Sequence, residues 1–457
     1  MRVSKWKVLG IAGALVLSYA VTSDAAQIKV SDETFADLGY WMKVRYNYVD
    51  ERQKEGGIDW NMNVFDVVDA RFNIEGQITK VFQFYGEVVT GGAYGAGVYD
   101  VLKYPPLKGR DTNAKLSEGG INLVFVPEFQ VRLGKIRIPF TRDQQEARYS
   151  YIIQSDWFYD PQGIINMADV IEKDVKTGDY FIDPSTGEKL NVMRTIKYRQ
   201  GPPIFGGPGA PDPILRLFDG GVNVHGEIAG GILRYDIGAF NEPDSDQPLQ
   251  DVSWAVRLEF SPPILGFKPE TKTTGRGWLH DTRLGRAGDV LTIGVAYYSQ
   301  DYESNILSGH QIPKDLDIDA YTVDVFMEKK FGPVLLNLEG AYIYIDDSHL
   351  SPDGDKEDTY LWYIQGQLLY DCVVGIGKPA IYVKYEYAEK DKVFAEYDDF
   401  EFNRLAIGIN YYVKGNAARL TAGMDYVWYD DGAEDWLKNS KLEDDITDFY
   451  VQAQIMF

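Results

Sequence analysis

The ten residues 448–457 (DFYVQAQIMF) constrain the fold of this chain more than any other stretch. Every second residue back from Phe457 is apolar, and the alternate row contains Gln452 and Gln454. This alternation predicts a β-strand with one apolar and one polar face. A tilted strand of about 9–11 residues crosses a bilayer, and a closed barrel leaves no backbone group unpaired in lipid. We therefore expect a strand of a transmembrane β-barrel, with an edge strand of a soluble β-sandwich as the alternative.

The N-terminal residues have the pattern of an export signal. An apolar run over residues 8–20 is preceded by the basic residues Arg2, Lys5 and Lys7. Small residues follow at positions 23–25, as expected at a cleavage site. We predict a signal peptide over residues 1–25 and a short periplasmic segment over residues 26–37. Because no later run approaches eighteen apolar residues, no membrane-spanning helix is expected.

Composition agrees with a barrel and excludes some partners. The mean hydropathy of −0.28 is too polar for a helical membrane protein, but it suits a barrel in which every second strand residue meets lipid. The 457 residues include 32 Tyr, 9 Trp and 22 Phe, enough for aromatic girdles at both membrane interfaces. The lone Cys372 has no partner for an internal disulfide. A net charge of −23 argues against nucleic acid as a partner.

Alternating segments predict about sixteen strands within an outer-membrane β-barrel over residues 38–457. They cover residues 38–48, 64–77, 81–90, 116–126, 129–138, 216–227, 231–240, 252–260, 291–300, 321–330, 334–345, 360–370, 381–387, 402–413, 419–429 and 448–457. Short turns alternate with longer connections, as periplasmic turns and extracellular loops do in barrels. The predicted fold is therefore an all-β, antiparallel transmembrane barrel.

One connection, residues 261–289, breaks this alternation because it is long where a short turn is expected. It is either a periplasmic excursion or a missed hairpin. A missed hairpin would raise the number of strands to eighteen.

Four segments resemble the phosphate-selective porin O/P family of Gram-negative outer membranes. Residues 133–140 (LGKIRIPF) are similar to its strand-five motif, in which glycine, basic and apolar residues precede Pro-Phe. Residues 218–243 and 252–262 resemble its central hairpin and the strand that follows, and residues 406–429 its penultimate hairpin. The resemblance implies a sixteen-stranded, homotrimeric pore in the outer membrane. It also implies an anion path built from Arg and Lys.

The longest connection, residues 141–215, corresponds to the third loop, which folds into the lumen of porins and sets the constriction. We predict the same inward fold here, with a helical start over residues 142–153. A mobile surface loop is the alternative, since a connection this long is either functional or disordered.

Basic residues on the polar strand faces and near the loop-three root are the candidate pore lining. They are Lys43, Arg45, Arg71, Arg132, Lys135, Arg137, Arg142, Arg148, Arg234, Arg257, Arg404 and Arg419. Rings of charge in a low-dielectric wall select ions by sign. Carboxylates share these faces, among them Asp69, Glu87, Glu259, Asp324, Glu386 and Asp425. The alternative is therefore that the two signs pair within the wall and neutralise each other.

The outer connections hold most of the excess negative charge. Such runs are usually solvated surface, but paired carboxylates also bind Ca²⁺ or Mg²⁺ between loops or against lipopolysaccharide phosphates. The candidate ligands are Asp346, Asp347, Asp430 and Asp431. No organic cofactor is expected.

These patterns together suggest a water-filled channel in the bacterial outer membrane. Small hydrophilic solutes or ions, including anions such as phosphate, would diffuse through it passively. The alternative is a barrel sleeve that encloses a partner protein such as an exported multihaem cytochrome. We expect no enzymatic activity, because no Gly-x-Ser-x-Gly elbow accompanies the four histidines, His225, His280, His310 and His349.

Overall fold

The protein is seen in a computed structural model that describes most of the chain. The described residues are 26–50, 54–55, 58–59, 62–89, 114–153, 176–182, 189–193, 218–241, 252–270, 284–302, 316–350, 356–391, 398–439 and 444–457. The predicted signal peptide lies outside them. Within these ranges no helix is both long enough and apolar enough to cross a membrane.

The described ranges contain twenty-one strands and two helices. The strands are β1 (Ala26–Lys29), β2 (Phe35–Asp50), β3 (Lys54–Glu55), β4 (Ile58–Asp59), β5 (Met62–Gln77), β6 (Phe82–Val89), β7 (Lys115–Val126), β8 (Phe129–Arg137), β9 (Lys176–Ile182), β10 (Lys189–Met193), β11 (Phe218–Ile228), β12 (Leu233–Asn241), β13 (Val252–Phe260), β14 (Val290–Tyr302), β15 (Leu316–Phe331), β16 (Val334–Leu350), β17 (Lys356–Tyr370), β18 (Lys378–Lys390), β19 (Phe400–Tyr412), β20 (Ala418–Asp430) and β21 (Asp445–Met456). The helices are α1 (Arg142–Gln145) and α2 (Asp431–Asn439).

Sixteen of these strands close into one antiparallel barrel. Their order is β2, β5 to β8 and β11 to β21, after which β21 pairs with β2. The closing pair runs from Trp41 opposite Met456 to Asp50 opposite Thr447. Each predicted segment overlaps one of the sixteen, so the predicted barrel is confirmed. Eighteen strands are excluded, because β13 pairs directly with β14 and leaves no place for a further hairpin in the wall.

The wall has an apolar outer face and a polar inner face. In β13 the side chains of Trp254 and Leu258 are 52% and 44% exposed, whereas Arg257 between them is 1% exposed. β21 follows the same rule, with Phe449 and Val451 outward and Gln452 inward. This pattern inverts that of a soluble protein, and it is the arrangement that a bilayer requires of a barrel.

The connections differ in length between the two ends of the barrel. At one end, here called the short-turn end, six connections are tight turns. They span residues 78–81, 127–128, 229–232, 332–333, 371–377 and 413–417. Longer connections join the strands at the opposite, long-loop end. The predicted alternation of short turns and long loops is therefore present.

Two rows of aromatic side chains lie on the outer face near the long-loop end. Ring centroids lie 5.2–6.3 Å apart along Tyr297, Tyr321, Tyr344 and Tyr360. A second row, with centroids 5.2–6.0 Å apart, contains Trp362, Tyr385, Trp428 and Tyr426. Amphipathic rings favour the level of the lipid headgroups, so these rows form an interfacial girdle.

Candidate functional site

Residues 138–153, here called the loop-3 root, fold into the lumen directly after β8. Thr141 caps α1: its hydroxyl accepts from Gln144 N, and the Gln144 side chain accepts from Thr141 N. This reciprocal pair satisfies two backbone donors at the start of the helix. The helix ends at Gln145, because Glu146 adopts an extended conformation. The helical start is thus shorter than predicted, but the inward fold is present in these residues.

The loop-3 root crosses the lumen and is held by the far wall. Lys43 in β2 donates to Arg148 O over 2.8 Å, and Arg419 in β20 donates to Tyr151 O over 2.7 Å. Asn410 in β19 donates to Ile152 O over 2.8 Å. β19 lies seven strands from β8 in a wall of sixteen, nearly opposite to it.

A second segment enters the lumen from the short-turn end. Residues 261–270, here called the fold-back, follow β13 and place the Glu270 side chain at 2% exposure. Glu270 accepts from both terminal nitrogens of Arg142 in the loop-3 root, at 2.7 and 3.0 Å. The Arg234 guanidinium in β12 donates to Glu270 O. The first ten residues of the connection 261–289 therefore turn into the barrel as an excursion; residues 271–283 lie outside the described part.

Most predicted pore-lining arginines pair with carboxylates inside the barrel. Arg257 bonds Glu259 and Asp324, and Arg404 bonds Glu386 and Asp425. The same holds for Arg71 with Asp69 and Glu87, Arg132 with Asp236, Arg137 with Glu118, and Arg234 with Glu227. This arrangement matches the neutralised-wall alternative.

Arg45 and Arg419 also contact neutral acceptors and aromatic rings. Arg45 Nε donates to Gln452 Oε1 over 3.0 Å, and its guanidinium lies 4.9 Å from the Tyr450 ring centroid. Arg419 also donates to Gln454 Oε1 over 3.0 Å. Arg148 is half-buried in the loop-3 root. These contacts fix the loop and the strands in place.

The prediction that Lys135 lines the pore is wrong. Its side chain is exposed on the outer face of β8, which it shares with Leu133. Lys135 Nζ donates to Leu116 O over 2.9 Å, and Leu116 is itself 51% exposed. Side chains alternate across a strand, so Lys135, three positions from the inward Arg132, points outward. Arg137 departs from this alternation at the last residue of β8, where it donates to Gln144 O and Glu146 O.

Two acidic residues beside the loop-3 root, Glu270 and Glu339, were not among the residues predicted from the sequence. Glu339 lies on the inward face of β16 at 1% exposure, two residues from inward Asn337. The alternation of β16 was a sufficient signal for Glu339. Glu270 had no such signal, because it lies in an irregular connection.

The predicted loop carboxylates do not form one cluster in the described residues. Asp346 accepts from Tyr344, and Asp430 accepts from Asn403 and Trp428. Asp431 starts α2, and the side chain of Asp347 lies outside the described part. Ca²⁺ binding by these four residues remains a prediction.

A different set of carboxylates meets at the long-loop end. Glu389, Asp391 and Asp399 are half-buried and place carboxylate oxygens within 4.8 Å of one another. Burial, with repulsion from Asp399 and Glu389, raises the pKa of Asp391 to about 7.

The buried histidine has a structural role. His225 is 5% exposed in β11, and its Nε2 lies 2.9 Å from Asn122 Oδ1 in β7. His280 and His310 lie outside the described residues.

Comparisons with known proteins bear on the fold. No family model matches the sequence. An uncharacterized protein of Aquifex aeolicus (strain VF5) is 26% identical over 248 residues, which are 51% of this chain and 53% of that protein. The chain thus matches about half the length of this relative.

Among solved structures, the anion-selective porin from Comamonas acidovorans superimposes with a TM-score of 0.51 at 10% identity, covering 93% of this chain and 100% of that one. The outer membrane channel DcaP of Acinetobacter baumannii gives 0.49 at 10% identity, covering 94% and 99%. The closed barrel and the likeness to the Comamonas porin define the class: the chain has the fold of an outer-membrane porin.

Proposed function

We propose that this protein is an outer-membrane porin through which small hydrophilic solutes or ions diffuse passively. The observation that carries this proposal is a lumen lined by polar side chains of the wall and crossed by the loop-3 root. An inward third loop narrows a barrel and sets its size limit. The two segments that enter the lumen, residues 138–153 and 261–270, narrow the space that an enclosed partner protein would need, so they give no support to a sleeve.

The charge pairing supports a channel with weak charge selectivity. A ring of one sign selects ions, whereas cations paired with carboxylates leave little net field in the lumen. We propose that any anion preference, including one for phosphate, is small. Membership of the phosphate-selective porin O/P family rests on the four similar segments.

Three further features belong to the same proposal. The chain is exported with cleavage near residue 25, in agreement with the basic and apolar pattern there. It lies among outer-membrane lipid and lipopolysaccharide and assembles as a homotrimer. We propose no enzymatic role for it, because no Gly-x-Ser-x-Gly elbow accompanies its histidines.

Liposome swelling tests the pore directly. Purified protein is reconstituted and exposed to neutral sugars of increasing size. We expect fast swelling with small sugars and a sharp decline with larger ones. Swelling no faster than in empty liposomes would contradict the pore, and co-purification of a haem-absorbing partner would favour the sleeve.

A further inference from the structure

Three buried carboxylates meet where the loop-3 root touches the wall. Asp143 lies in α1, Glu146 follows that helix, and Glu339 lies in β16. Their exposed fractions are 7%, 1% and 1%. Each offers a carboxylate oxygen within 4.8 Å of the other two. We call these residues the lumen trio.

Two cations near the lumen trio, Arg142 and Lys384, form their hydrogen-bonded ion pairs with other carboxylates. Arg142 forms its bidentate bond with Glu270, and its Nε lies 4.0 Å from Glu339 Oε2, too far for a hydrogen bond. Lys384 lies near Asp143 but pairs with Glu386. Among the described residues, no cation therefore makes a hydrogen bond to the Asp143 or Glu339 carboxylate, and the two lie close together inside the barrel.

Hydrogen bonds cover only part of the trio. Glu146 accepts from the Ser150 hydroxyl over 2.8 Å, and Glu339 Oε1 accepts from the Tyr363 hydroxyl over 2.6 Å. Glu339 Oε2 is buried and has no hydrogen-bond partner. No side chain in the described ranges donates a hydrogen bond to the Asp143 carboxylate. Buried charges in proteins are normally paired or coordinate a metal.

We propose that the lumen trio binds a divalent cation, with Ca²⁺ as the best-matched ion. Ca²⁺ takes six to eight oxygen ligands in flexible geometry, and carboxylates bind it through one or both oxygens. Mg²⁺ fits less well because it requires near-ideal octahedral geometry and retains several waters. The bound ion ties the loop-3 root to β16, a strand that none of the backbone contacts described above reaches. This site is independent of which solute crosses the barrel.

Calcium titration of the detergent-purified full chain tests the proposal. The protein is treated with a chelator, dialysed and titrated with CaCl₂ by calorimetry. Glu339→Gln removes one charge and keeps an oxygen for Tyr363, and Asp143→Asn removes a charge from the loop side. We expect each variant to weaken the tightest Ca²⁺ binding at least tenfold.

The half-buried cluster at the long-loop end supplies the matched control. Glu389→Gln removes one charge from Glu389, Asp391 and Asp399 without touching the lumen. We expect this variant to keep the tightest binding within twofold of the wild type. Loss of binding in Glu389→Gln alone would overturn the proposal, as would unchanged affinity in both lumen variants. Absence of Ca²⁺ binding in the wild type would also overturn the proposal. It would mean that protons bound by the carboxylates, instead of a metal ion, neutralise the trio.

Terbium luminescence provides a second test, in which the three carboxylates of the lumen trio are left unchanged. Terbium replaces Ca²⁺ and emits when a nearby tyrosine absorbs light. Tyr363 bonds Glu339, and the Tyr151 hydroxyl donates to Asp143 O over 3.0 Å. We expect the double variant Tyr151→Phe with Tyr363→Phe to lose at least half of the sensitised emission. Unchanged emission would place the ion elsewhere and overturn the proposal.

Discussion

The two segments that enter the lumen are held in different ways. The loop-3 root is bound at several points, because Lys43, Asn410 and Arg419 donate to three of its carbonyls. Gln454 donates to a fourth, at Tyr149. The fold-back instead meets the loop-3 root through Glu270, whose side chain binds Arg142 and whose carbonyl accepts from Arg234 in the wall.

This difference shows what many inward cations do. Irregular backbone inside a barrel needs partners for its carbonyl groups, because an unpaired buried group costs free energy. Donors on the wall bind the carbonyl groups of the loop-3 root. The inward cations among them therefore stabilise the structure in addition to facing the path of a solute. The side-chain contact between the fold-back and the loop-3 root is made by Glu270 with Arg142, so a single substitution there should loosen it. Four variants, taken from the largest expected effect to the smallest, test this contrast.

Arg257→Gln should have the largest effect. It removes the cation that bonds Asp324 and Glu259, and it removes the 2.6 Å bond to Phe140 O in the loop-3 root. Breaking a buried ion pair from one side costs about 3–5 kcal/mol. Urea unfolding in detergent micelles measures the loss. A loss below about 1 kcal/mol would mean that the pair is not buried in solution.

Glu270→Gln should loosen the fold-back. A buried hydrogen bond to a charged group contributes about 1.5–3 kcal/mol, and Gln removes the negative charge and one of the two oxygens that accept from Arg142. A double-mutant cycle with Arg142→Gln isolates the pair, and we expect a coupling of about 0.5–3 kcal/mol. Strict additivity would show that the two segments do not meet.

Asn410→Ala should have a smaller effect on the loop-3 root. It removes one of several donors, at a cost of about 0.5–1.5 kcal/mol, and the other contacts remain. Unfolding measurements give the size, and limited proteolysis reports loop opening. Cleavage at the loop-3 root as fast as in an unfolded control would contradict its multiple anchoring.

Loss of the ion pairs that Asp371 forms with Lys330 and Lys378 at the short-turn end should have the smallest effect on stability. It serves as a reference for the buried ion pairs. Hydrogen bonds from Lys330 and Lys378 hold the pKa of Asp371, in the turn after β17, below its ordinary value. Because the pKa is lowered on folding, this stabilisation is present above about pH 4. It is lost as pH falls through the lowered pKa. Asp371→Asn should therefore reduce the difference between the free energies of unfolding at pH 6 and pH 3. An unchanged difference would mean that the ion pairs of Asp371 do not contribute to stability.

The sequence was sufficient to predict the strands of the barrel wall but not the contacts made inside the lumen. Alternation identified all sixteen strands and placed Arg257 and Arg404 inward, because a strand has only two faces. Their partners depend on register between strands and on segments that cross the lumen. The bond between Arg142 and Glu270 joins residues 128 positions apart in two irregular connections. Local pattern carries no information about such a contact, and Lys135 was misplaced because proximity to the loop was weighed above alternation.

Single-channel current in a planar bilayer with a salt gradient tests the central claim most directly. The claim is that paired wall charges leave a porin with an open path and weak charge selectivity. It predicts stable open steps, a reversal potential near zero and no change in Lys135→Gln, whose side chain faces outward. A reversal potential close to the ideal anion value would contradict neutralised pairing, and the absence of open steps would contradict the porin.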